Sequence, residues 1–117
     1  MSKFTPNPAE TTLAAPVAGL PKLDPVAVHF ALGSSVRWPI LKLLADGRAM
    51  SITECAAVAG CTRENMGKQM LVLLNAGVVD CHYGADRRQS IYSIPARRRI
   101  APGVVDYGFC TIDFRQA

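Results

Sequence analysis

A chain of 117 residues, 50 % of them hydrophobic, is long enough for one domain that buries about two thirds of its unfolded surface without covalent staples. Thirteen Lys and Arg against nine Asp and Glu leave a net charge of +4, which permits contact with a polyanion but does not establish it. No stretch reaches the length needed to cross a bilayer, and the first residues lack a basic start followed by an apolar run. Cys55, Cys61, Cys81 and Cys110 form no Cys-x-x-Cys, so a cytoplasmic protein with reduced thiols is expected.

Residues 1–23 carry Pro6, Pro8, Pro16 and Pro21, which deny a continuous helix and predict a mobile Pro/Ala-rich tail. Four helical segments follow. The first opens with Asp24 as cap and Pro25 at the first helical position, and stops at Gly33. The second starts near Ser34 or Ser35 and ends at Gly47, with Val36, Ile40, Leu41 and Leu44 forming an apolar stripe. The third begins at Ser51-Ile-Thr-Glu54, a capping box, and ends at Gly60. The fourth runs from its cap Thr62 to Ala76, buries Met66, Met70, Leu73 and Leu74 on one face, and stops at Gly77.

The period then changes from near 3.6 to 2. Residues 78–82 and 90–94 read as two strands joined by the polar, basic loop 83–89, and Pro95 ends the hairpin. Residues 96–117 read as a basic linker through Arg97, Arg98 and Arg99, followed by one C-terminal β-strand over 104–114. That strand is apolar on both faces and so is expected to pack on the domain or across a subunit boundary.

Only Gly60-Cys61 separates the third helix from the cap of the fourth, a connection short enough to fix one helix across the other as a helix-turn-helix. An α-helix fits the major groove of B-DNA, and residues near its N-terminus reach base edges there. Thr62, Arg63, Glu64, Asn65, Gly67, Lys68 and Gln69 are the candidate DNA-binding residues of the fourth helix. Gly67 costs that helix about 1 kcal/mol relative to Ala, which close approach of a DNA backbone or of an adjacent helix would justify. Arg87 and Arg88, near the hairpin tip, extend the basic surface toward adjacent backbone or the minor groove and make the hairpin a wing. The expected architecture is mainly α with a small β-sheet, a winged helix-turn-helix over 24–95.

From His29 to Ile94 the sequence resembles the ArsR type of winged-helix repressor. Arg37-Trp-Pro-Ile-Leu41 and Leu43-Leu-Ala-Asp-Gly47 are similar to that family's second helix, and Ser51 to Gly60 to the first half of its DNA-binding motif. Met70 to Val78 resembles the end of its recognition helix, and Ile91-Tyr92 the returning strand. The resemblance implies a homodimer that places two recognition helices on a near-palindromic operator in double-stranded DNA. Metal-sensing members carry paired cysteines on the helix before the recognition helix. Here those positions align with Ala56 and Val58, while Cys55 and Cys61 fall where core leucines stand. Gly67 and Gln69 also replace residues common in the family's recognition helix.

Cys55 and Cys61 are therefore read as small core hydrophobes. Cys81 and Cys110 fall in predicted strands, where they are able to approach each other or a symmetry mate. Cys81 and His82, adjacent on a strand, point to opposite faces and do not share a metal. His29, Trp38, Tyr107, Phe109 and Phe114 are read as packing residues. No cofactor, metal or effector site is marked, and two distant histidines without a phosphate loop or nucleophile motif argue against an enzyme. The competing expectation is a winged helix that binds only protein, suggested by Glu64 and Gly67 on the outer face and by the apolar C-terminal strand.

Overall fold

The computed structural model describes residues 20–85 and 88–116. The greater part of the expected tail, together with Asp86 and Arg87, lies outside the described residues. The elements in chain order are helices α1 (Pro25–Leu32) and α2 (Arg37–Ala45), strand β1 (Met50–Ser51), helices α3 (Ile52–Ala59) and α4 (Arg63–Ala76), and the hairpin β2 (Asp80–Tyr83) and β3 (Ser90–Ser93). A 3-10 turn (Ala96–Arg98) then leads to β4 (Arg99–Ala101), β5 (Val104–Asp106), β6 (Thr111–Asp113) and a final 3-10 turn (Phe114–Gln116).

The helix boundaries follow the local chemistry. Asp24 Oδ1 accepts from the Val26 amide at 3.2 Å, with Pro25 already pre-set for the first turn. Ser34 Oγ accepts from the amides of Val36 and Arg37, each at 3.2 Å, so the expected cap acts although regular helix begins only at Arg37. The Trp38 amide already donates to the Ser34 carbonyl at 2.8 Å, so Pro39, third in that helix, forgoes only a bond to the cap region. At α3 the capping box forms in both directions: Ser51 Oγ accepts from the Glu54 amide at 3.2 Å, and Glu54 Oε1 accepts from the Ser51 amide at 2.8 Å.

The core lies between the helices and the first sheet. Val28, Ile40, Leu41, Leu44, Cys55, Met66, Met70, Leu73 and Val78 have no exposed surface. That sheet is antiparallel in the order β1-β3-β2, with Met50 opposite Tyr92 and Cys81 opposite Tyr92 on the other side. The two-residue strand β1 was too short to leave a periodic signal. It ties the entrance of α3 to the hairpin.

The C-terminal region corrects the sequence reading in three respects. The single strand expected over 104–114 is two strands folded back at Gly108, which adopts φ +95° in a turn closed by the Tyr107 amide donating to the Cys110 carbonyl at 2.8 Å. With β4 they form a second antiparallel sheet in the order β4-β5-β6, and Cys110 stands in the turn rather than in a strand. The expected basic linker is ordered. Arg98 is buried and donates to the Pro21 carbonyl at 2.8 Å and the Asp106 carbonyl at 3.3 Å. Residues 21–23, counted in the tail, are consequently part of the domain, and Leu23 packs against the core beside Gly77.

This second sheet is anchored to α2. The Gly103 amide donates to the Ala45 carbonyl, one of the orphan acceptors at the helix end, at 3.0 Å. Phe114 is fully buried, with its ring centroid 4.6 Å from that of Trp38. Truncating Phe114 to Ala should cost about 3–5 kcal/mol in urea unfolding, the range for a buried aromatic side chain. The transition should remain single. A loss below about 1 kcal/mol would show that the sheet contributes nothing to the fold.

Candidate nucleic-acid interface

The α3–α4 connection turns the chain within three residues. Gly60 takes φ +71° and ψ +36°, a left-handed setting that a β-carbon disfavours, and its amide donates to the Ala56 carbonyl at 2.9 Å. Thr62 then starts the next helix, its Oγ1 accepting from the Asn65 amide at 3.1 Å. The cap uses one lone pair of the hydroxyl, which leaves Thr62 its O–H donor, its second lone pair and its methyl group for outward contact.

Helix α4 packs on α1 and α3 through Met66, Met70, Leu73 and Ala76, all buried. The opposite face is open: Arg63, Glu64, Asn65 and Lys68 are exposed. Gly67 is partly exposed, and a β-carbon built on it would meet nothing within 4 Å. Among the described residues, close approach to an adjacent helix, one of the two reasons considered for this glycine, does not occur. Gln69 sits apart from this row. It is half-buried at the flank of the helix, and its Oε1 accepts from Arg37 Nη1 at 2.7 Å.

The wing follows this helix after Gly77. Its strands pair from Asp80 opposite Ser93 to Tyr83 opposite Ser90, and the Gly84 amide closes the loop on the Gln89 carbonyl at 3.1 Å. Arg88 is exposed there, while Arg87 lies outside the described residues. Of the candidate set, Thr62, Arg63, Glu64, Asn65 and Lys68 are exposed along the first turns of α4 and Gly67 is partly exposed, while Gln69 lies at the flank and Arg88 in the wing loop.

Three residues escaped the sequence reading as site candidates. Leu71, 54 % exposed, continues the outer face of α4, and its signal was an apolar residue off the Met66–Met70–Leu73 stripe. Tyr83 is exposed at the wing, where alternation in a short strand did not single it out. Arg37 was read only as part of a helix motif, yet its side chain is buried and reaches α4. A lone arginine at the head of an apolar helix was the available signal.

Among solved structures, reduced HlyU from Vibrio cholerae superposes with a TM-score of 0.53 at 16 % identity, covering 74 % of this chain and 77 % of that one. The homodimeric winged helix-turn-helix DNA-binding domain Mb0332 from Mycobacterium bovis gives 0.56 at 19 % identity, covering 80 % and 77 %. NolR from Sinorhizobium fredii gives 0.53 at 16 % identity, covering 80 % and 82 %. No protein-family profile and no curated protein matches the sequence. The fold is that of a winged helix-turn-helix, as the sequence predicted. No helix among the described residues is long and apolar enough to cross a membrane.

The cysteines divide by environment, and all four are free. Cys55 is completely buried, and burial, with a smaller contribution from the Glu54 carboxylate, pushes its thiol up to about 11. Cys61 packs partly against the core, with its sulfur 3.9 Å from that of Met66. Burial, then Asp106, also raises the Cys110 thiol, whereas Cys81 is exposed on β2 beside the equally exposed His82. At pH 8 a thiol of pKa about 11 is ionised in about one molecule in a thousand, and the thiolate is the reacting form. Iodoacetamide at pH 8 should therefore alkylate Cys81 first and leave Cys55 intact until the chain unfolds, as read by peptide mass spectrometry. Earlier modification of Cys55 would mean that α3 detaches in the native state.

Proposed function

We propose that this chain is a sequence-specific DNA-binding transcriptional regulator of the cytoplasm that works as a homodimer. Helix α4 enters the major groove, and the 83–89 wing lies on adjacent backbone or in the minor groove. The carrying observation is the open outer face of α4, where Arg63 stands exposed at the helix start and Lys68 exposed further along the helix. The resemblance to ArsR-type repressors and the likeness to Mb0332, itself described as a homodimeric DNA-binding domain, support the same role here, with repression as its sense.

The surface for a second copy is helix α1. Val26 and Phe30, one turn apart, are 76 % and 67 % exposed, and Phe109, in the turn between β5 and β6, continues the apolar surface with its ring 5.5 Å from His29. The bulk of this apolar area favours an isologous contact over solvent. It also gives the competing protein-binding reading a place to act that does not involve α4.

Two measurements test this. Replacing Arg63 and Lys68 together by Ala should weaken binding to a duplex selected from genomic fragments. The slope of log K against log salt should flatten by about two, since each phosphate contact contributes about 0.9. Unaltered binding would dismiss α4 as the recognition surface. Sedimentation at micromolar concentration should show a dimer that Val26→Asp converts to monomer, and a wild-type monomer would remove the α1 interface.

A further inference from the structure

Each of the three nitrogens of the Arg37 guanidinium donates a hydrogen bond. Nε reaches the Ala31 carbonyl at 2.8 Å, Nη2 the Phe30 carbonyl at 2.9 Å, and Nη1 reaches Gln69 Oε1 at 2.7 Å. The guanidinium carbon also lies 5.4 Å from the centroid of the Phe30 ring. The two carbonyls belong to the C-terminal end of α1, where acceptors lack helical partners and a cation is favoured. Arg37 is only 7 % exposed, and its hydrogen bonds tie α1 and the head of α2 to a single residue of α4.

The chemistry of the pair fixes the orientation of the amide. A guanidinium has donors and no acceptor, so only the oxygen of Gln69 can face it, and the NH2 group is turned away. That NH2 group makes no hydrogen bond among the described residues and is not enclosed by the protein. A carboxylate would be the stronger partner for a desolvated guanidinium. At position 69 it would also present a second, negatively charged oxygen beside the recognition face. The amide satisfies Arg37 with one end and offers two N–H donors with the other. Duplex DNA presents mostly acceptors: phosphate oxygens, guanine O6 and N7, thymine O4.

We infer that Arg37 is a positioning residue that locks Gln69 as a one-way hydrogen-bond donor to an acceptor atom of bound DNA. The inference rests on the proposed entry of α4 into the major groove. Because the amide is pinned before binding, no rotamer or flip has to be selected in the complex, and a competing acceptor end is never shown to the duplex.

Gln69→Glu is the discriminating substitution, because it keeps, and charges, the bond to Arg37 while replacing the donor by an acceptor. Full-length protein is titrated by fluorescence anisotropy against a duplex that the wild type selects from a randomised pool. Gln69→Glu should melt at or above the wild-type temperature and bind at least about tenfold more weakly. Asn75→Asp, which adds the same charge at an exposed position of the same helix, should lose clearly less. If Gln69→Glu melts lower, Gln69→Met carries the comparison with the donor removed and no charge added. Arg37→Lys should weaken binding in the wild-type background and add nothing in Gln69→Ala, a coupling that a merely structural arginine would not show. Repeating the selection with Gln69→Ala separates the acceptors: a changed preference at one base pair identifies a base edge, and a uniform loss identifies phosphate. Binding by Gln69→Glu equal to wild type, or no weaker than Asn75→Asp, overturns the inference alone. A wild-type protein that binds no duplex overturns it together with the reading of α4.

Discussion

Burial of one face of α4 governs what the molecule can present to a partner. Met66, Met70 and Leu73 have no exposed surface, and together they leave the helix a single rotational setting against α1 and α3. Turning it by one residue, about 100°, would replace Met66, Met70 and Leu73 at the core by Asn65, Gln69 and Val72 in one sense or by Gly67, Leu71 and Leu74 in the other. Full burial of each such side chain stabilises by about 1.5–3 kcal/mol, whereas the first alternative buries two amides and the second leaves the void of Gly67 and exposes both methionines, so the observed setting is favoured. The row Arg63, Glu64, Lys68 and Leu71 therefore points outward as a consequence of packing, whatever it contacts. The cap at Thr62 and the left-handed Gly60 fix where along the axis that row begins.

Much of this was legible because the deciding chemistry is local. Asp24 with Pro25, Ser51 with Glu54, Thr62, Gly60 and Gly77 each act within a few residues of themselves, and each ends or begins a helix where the sequence placed it. The two strands of the hairpin were visible from alternation with a polar loop between them, although the first begins two residues later than expected, at Asp80, and runs to Tyr83. The second sheet was illegible for the opposite reason. Residues 104–114 alternate without interruption, with apolar side chains at both parities, and the reversal depends on one residue, Gly108, whose turn conformation only shows once Tyr107 and Cys110 meet.

The candidate site divides along the same line. Its outer residues were visible from helical periodicity. The link between Arg37 and Gln69 spans thirty-two residues and is carried by one hydrogen bond, so no window of sequence contains it. Arg98 was misread in the same way: within a run of three arginines it resembles a solvated charge, and only the Pro21 and Asp106 carbonyls reveal it as buried. Both guanidinium groups are desolvated, and burial lowers both pKa values from the ordinary arginine range. Arg37 is held by neutral oxygens, whereas Arg98, bonded to two carbonyls, is also favoured by the nearby charges of Asp106 and Asp80.

The bond from Arg98 to the Pro21 carbonyl joins segments seventy-seven residues apart. Detaching the stretch that precedes α1 would strand a guanidinium in a poorly hydrated site, and lifting the second sheet would strip Pro21 of its donor. Neither end can therefore fray by itself at small cost, and in amide exchange the two margins of the domain should open as one cooperative unit, not as independent loose termini.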